Sequence, residues 1–97
     1  MLQDVAVEEF EALLGQQIRI SSEGHERLLQ LKEVKRLQNP SPRPTPPFSV
    51  VLRDVGVDRH FSQGIYSLDL PPRGTLDLFI VPIGPDGTGM CYEITFN

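Results

Sequence analysis

Few side chains in this 97-residue chain could do chemistry: two histidines, His25 and His60, a single cysteine, Cys91, and thirteen carboxylates. A zinc site needs three or four closely disposed His, Cys or carboxylate ligands, and no pair here has ligand spacing. His25 falls in an expected turn and His60 in an expected loop beside Asp58 and Arg59, so both read as solvated polar residues. A Cys91–His nucleophilic pair would need a contact across the fold that the spacing does not announce. Asp86-Gly87-Thr88-Gly89 could be mistaken for part of a phosphate loop, but it has no lysine and leads into a strand. Asp54, Asp58, Asp69, Asp77 and Glu93 are dispersed without calcium-loop spacing. Pro44-Thr45-Pro46-Pro47 after Arg43 has the form of a polyproline ligand and is read as a stiff connecting loop. No catalytic residue, cofactor or metal site is expected, and the chain is not read as an enzyme.

Charge narrows the partners. Nine Lys and Arg against thirteen Asp and Glu leave a net charge of −4, which opposes a phosphate backbone, so no nucleic acid is expected. The opening Met1-Leu2-Gln3-Asp4, followed by Glu8, Glu9 and Glu11, lacks the basic start and apolar run of a secretory signal. The longest nearly apolar stretch, Leu76 to Ile83, is interrupted by Asp77 and Pro82 and falls far short of the ~20 residues of a spanning helix; no membrane insertion is expected. A lone cysteine fits a reducing compartment. A soluble, cytoplasmic protein is expected, free or within an assembled particle.

The elements follow from periodicity. Val7, Phe10, Leu13 and Leu14 recur at helical spacing after Asp4, with Gly15 suited to a left-handed helix end, which predicts one amphipathic helix over about 5–14. Gln17 to Ser21 alternates, with Ile18 and Ile20 on one side, and Ser22 to Glu26 supplies a turn around Gly24. From Arg27 to Leu37 the signals conflict. Leu28, Leu31, Val34 and Leu37 fit a helix, while the short preceding turn and the first strand's need for a partner favour a strand. The strand is chosen, with Leu29 and Leu31 inward and a bulge before Val34. A proline-rich loop over 39–47 follows, where missing amide donors block helix and paired strand alike. Then Phe48, Val50 and Leu52, and Tyr66, Leu68 and Leu70, mark the inward faces of two strands. Leu76, Leu78 and Ile80 face Met90, Tyr92, Ile94 and Phe96 in a C-terminal hairpin over about 75–97, turned at Pro85-Asp86-Gly87. The fold class is mainly β (α+β): a single domain, 1–97, forming a small antiparallel six-stranded β-barrel or sandwich, its helix capping an end or covering a flank.

Several stretches together carry a resemblance: Phe48-Ser49-Val50-Val51-Leu52-Arg53, Gln63-Gly64-Ile65-Tyr66, the run from Gly74 through Leu76, Leu78-Phe79, Val81-Pro82 and Gly84-Pro85-Asp86-Gly87 to Gly89, and the ending Tyr92-Glu93 with Phe96-Asn97. With the opening Phe10, Leu13 and Gly15, the chain resembles a family of small uncharacterised bacterial domains of unknown function. The resemblance implies a β-rich domain from a bacterial source. Because members are sometimes encoded near phage-tail-collar-type proteins, it also implies a fibre or tail-like assembly. It carries over no catalytic residue.

Four apolar residues stand where a wet sheet face should be polar: Val51, Ile65, Phe79 and Val81. Their cover is either the protein's own helix, through Val7, Phe10 and Leu14, or a protein partner or second copy of the chain. The expected function is therefore a non-enzymatic structural or protein-interaction module, in specific form an accessory component of a phage-tail-like fibre. The alternative is a small-molecule-binding domain or enzyme with its site in the barrel mouth, using Tyr66, Tyr92, Arg53 and Glu93; a pocket with convergent polar groups would favour it.

Overall fold

The computed structural model describes residues 5–38, 46–57, 59–71 and 73–96. One helix, α1 (Val7–Glu11), precedes six strands: β1 (Gln17–Ser22), β2 (His25–Arg36), β3 (Phe48–Val55), β4 (Gly64–Leu70), β5 (Gly74–Pro85) and β6 (Gly89–Phe96). They close into a barrel in the order β1-β2-β3-β6-β5-β4, every neighbouring pair antiparallel. Closure satisfies each strand with two neighbours and leaves no full-length edge. Of the two expected architectures, the barrel is the one formed.

The alternation read from the sequence sets what goes inside. Ile18, Ile20, Leu29, Leu31, Phe48, Val50, Leu52, Leu68, Leu70, Leu78, Ile80, Met90, Tyr92, Ile94 and Phe96 are all buried in one core. β2 is a strand throughout, and its pairing with β3 slips between Leu31 and Glu33, so Lys32 is the extra residue of a bulge. That bulge returns Val34 to the inward side, where it packs on the core opposite Val50. The turn between β1 and β2 is tighter than expected. Glu23 and Gly24, at φ 52° and 82°, form a two-residue connection with both residues left-handed, the geometry that follows the natural twist of a hairpin.

The helix is shorter than the predicted 5–14, because the chain leaves α-helical geometry after Glu11 and turns through residues 12–15. Only Val7 and Phe10 of its apolar face are buried, while Leu14 lies half exposed beyond the helical turn. Phe10 enters one end of the barrel against Phe48 and Phe96, at centroid distances of 5.8 and 5.4 Å, and those two rings stack on each other at 4.4 Å. α1 is thus a plug. Glu9 fixes it there: it accepts the Ala6 N–H at 2.8 Å and a two-pronged pair from Arg73, Nε at 2.6 Å and a terminal nitrogen at 2.9 Å, on the β4–β5 turn.

Of the proline-rich loop, residues 39–45 lie outside the described residues; Pro47 is buried, and its carbonyl accepts the Leu37 N–H at 3.0 Å. No helix among the described residues is long and apolar enough to cross a membrane.

Candidate functional sites

Strand direction gives the barrel two unlike ends. The plugged end gathers the starts of β3 and β5 and the ends of β2, β4 and β6. The opposite end, the mouth, gathers the β1–β2 turn, the end of β3, the start of β4 and the β5–β6 hairpin. Along β2 the inward series Leu31, Leu29 continues to Arg27 and His25. Along β3 the series Phe48, Val50, Leu52 continues to Asp54, and along β1 Ile18 and Ile20 continue to Ser22. The interior therefore turns polar at the mouth. Arg27 donates to the buried Asp54 carboxylate at 2.7 Å, with side-chain exposures of 48 % and 8 %.

Phe61, from the loop between β3 and β4, packs at this opening. Its ring stacks on Tyr92 at 4.0 Å and 8°, its N–H donates to the Tyr92 hydroxyl at 3.0 Å, and it lies 4.8 Å from Tyr66 in a tilted contact. Tyr66 is itself held by donating to the Ser62 carbonyl at 2.6 Å. Burial pushes the Tyr92 phenol above its ordinary value, so it stays protonated. What remains open is a cleft of about 280 Å³ between the β1–β2 hairpin and these rings, lined by Ile20, Ser22, His25, Arg27, Phe61 and Tyr66, with Glu23 at the turn.

The four residues foreseen for a mouth site do not converge. Tyr66 lines the cleft and Tyr92 lies beneath it, fully buried, whereas Arg53 and Glu93 stand on the outward-facing side of β3 and β6. Arg53 belongs to a different cluster. It donates to Asp86 at 2.7 and 2.9 Å and to Gln30 at 3.1 Å, and Lys32, at the β2 bulge, reaches the same Asp86 oxygen at 2.8 Å. The other Asp86 oxygen accepts the Thr88 and Gly89 N–H groups at 2.9 and 3.0 Å. The Lys32 ammonium foremost, and then these amides and Arg53, hold the Asp86 carboxyl well below the usual carboxylate range.

Cys91 points outward yet is buried under this charged roof, 3.9 Å from Lys32 Nζ. Burial raises its thiol pKa, outweighing the pull of Lys32. The arrangement makes it a small packed residue of β6, the opposite of the electropositive, accessible setting that activates a thiol. Gly89, at the start of β6, allows the hairpin to close: a Cβ there would strike the Asp54 carbonyl oxygen and lie 2.9 Å from Val55 Cα. His60 is exposed, its Nδ1 3.2 Å from the Phe61 carbonyl. Among the described residues, no group of three or more His, Cys, Asp or Glu side chains is placed to hold a metal ion.

The apolar outward residues form a second candidate site. Ile65 and Phe79 are directly opposed on β4 and β5, at 59 % and 50 % exposure, and Val81 is two residues along β5 on the same face. Val81 pairs with Glu93 on β6, which pairs with Val51 on β3, so the four named residues lie on one continuous outer surface interrupted by Glu93. Val51 and Val81 are partly buried. Ile83 extends the row: the β5–β6 register slips between Pro82 and Gly84, and the extra residue stands 51 % exposed. α1, committed to the barrel end, does not cover Ile65 or Phe79.

Sequence comparison places this geometry in a family. Residues 5–96 match the family described as a domain of unknown function, DUF6916. The chain belongs to that family. Comparison with curated proteins and with solved structures finds no match to either.

Proposed function

We propose that this DUF6916 domain is a non-enzymatic protein-interaction module that docks through the outer face of β4 and β5. The observation that carries the reading is the facing pair Ile65 and Phe79, half or more exposed, on a surface continued along β5 by Val81 and Ile83. Large apolar side chains scattered singly over a surface are ordinary, but a contiguous exposed group marks an interaction site. Because the barrel leaves no full-length edge, the contact is made by side chains rather than by strand addition. A place in a fibre or tail-like assembly is the specific form that the family resemblance implies.

Self-association tests the surface directly. Light scattering across a concentration series is expected to show the wild-type chain associating, and Ile65→Ser with Phe79→Ser abolishing it without change in thermal unfolding. A wild-type chain that stays monomeric at millimolar concentration, with hydrophobic-dye binding indifferent to the two substitutions, overturns the reading.

A further inference from the structure

We infer that the barrel mouth is a binding site for a small aryl carboxylate: one flat apolar ring carrying one anionic group. The inference is independent of the outer-face reading. The cleft, at about 280 Å³, lies just below the ~300 Å³ lower end of the usual range for ligand sites, which limits the occupant to a single-ring body.

Three features make it a built site. Its aromatic wall is fixed before any ligand arrives, Phe61 by stacking and a backbone hydrogen bond on Tyr92, and Tyr66 by its bond to Ser62. A ring inserted there meets immobilised partners, so little ordering cost is left to binding. Its cation is aimed as well: one terminal nitrogen of Arg27 is held by the buried Asp54, which leaves the half-exposed guanidinium with further N–H donors in a fixed fork suited to a carboxylate. The remaining polar lining is placed by the same inward parity, with the Ser22 hydroxyl and His25 imidazole on strand positions that in a sealed barrel would be apolar. Asp54 is the one buried member of this polar set, and its partner Arg27 stands half exposed above it, so the pair reaches from the barrel interior to the cleft. Glu23 is the opposing charge, on the exposed turn at the rim.

The test is a two-dimensional NMR titration with phenylacetate and with its neutral analogue 2-phenylethanol. Phenylacetate is expected to shift the amides of Ser22, His25, Phe61 and Tyr66 saturably, with 2-phenylethanol about tenfold weaker, as loss of one charge-assisted contact implies. Arg27→Gln alone strands the Asp54 charge and endangers folding, so the decisive variant is the double Arg27→Gln, Asp54→Asn. It is expected to bind the two probes equally weakly, while Phe61→Ala weakens both. Glu23→Gln is expected to tighten phenylacetate by removing the rim repulsion. Shifts spread over the surface without saturation, equal binding of the two probes to the wild type, wild-type affinity in the double variant, or weaker phenylacetate binding in Glu23→Gln each overturn the inference.

Discussion

Asp86 is the residue on which the hairpin end of the barrel depends, because it binds Lys32 of β2, Arg53 of β3 and two amides of its own turn at once. Asn at 86 keeps an oxygen for the Thr88 and Gly89 amides but puts an NH2 donor where Lys32 and Arg53 need an acceptor, so Asp86→Asn removes the ionic contacts and spares the turn's own bonds. A carboxyl held below its unfolded value stabilises the fold above that unfolded value, about pH 4, and the contribution fades as pH falls toward the folded pKa. Asp86→Asn is therefore expected to unfold at lower temperature than wild type at pH 7, the gap narrowing steadily below about pH 4. Thermal melts from pH 7 to pH 2 decide it, and a gap constant over that range removes the charge from the explanation. Little of this cluster was legible beforehand. Turn chemistry identified Asp86 correctly as a turn residue, but its partners Lys32 and Arg53 lie far away in sequence, on strands whose pairing the periodicity does not give.

At the scale of elements, α1 shows how a five-residue helix can matter to a barrel through two buried side chains, Val7 and Phe10. Phe10 is fully buried among Phe48 and Phe96, so truncating it opens a void at the barrel end. Phe10→Ala is expected to cost about 3–5 kcal/mol, a large part of the ~5–15 kcal/mol that holds a domain together. Urea unfolding measures it, and a loss below about 1 kcal/mol would mean that the plug is dispensable. The strands themselves were readable because each has one wet and one dry face, and the period of two survives in sequence. β2 was the hard case for a reason now visible: its inward residues are Leu29, Leu31 and, past the bulge, Val34, so spacings of two and three imitate part of a helical pattern. The helix was over-extended because Leu13 and Leu14 keep the right spacing after the backbone has turned. The mouth was foreseen as the alternative site, but with Arg53 and Glu93 where the structure places Arg27 and Asp54. Arg27 and Asp54 sit at inward parity on β2 and β3, but Asp54 was read as the start of a loop, and the inward series of the strand that Arg27 opens was counted only from Leu29. Nothing in the periodicity distinguished Phe61 from its loop neighbours, since its position depends on Tyr92, thirty-one residues away.

Across the whole molecule, the closure of the barrel is uneven. β3 and β6 run together for eight pairs, from Phe48–Phe96 to Val55–Gly89, whereas β1 and β4 meet only at Arg19–Asp69, Ile20–Leu68 and Ser21–Ser67. A ladder this short has few bonds to break before water enters, and local opening follows the weakest cooperative unit. Hydrogen exchange is therefore expected to be fastest, among strand amides, along the β1–β4 seam and slowest along β3–β6. Uniform protection around the barrel would contradict this. The seam also connects the two ends of the molecule. Its last pair, Ser21–Ser67, stops short of Ser22 and Tyr66, where the cleft begins, and the β4–β5 turn beyond its other end carries the Arg73 that anchors α1 through Glu9. A ring held between the β1–β2 hairpin and Tyr66 bridges the two strands where their own hydrogen bonds have ended. Phenylacetate at saturation is thus expected to slow exchange at Ile20 and Leu68 more than at any β3 or β6 amide. Slowing spread evenly over all strands would instead indicate a general shift in stability, with no local closure of the seam.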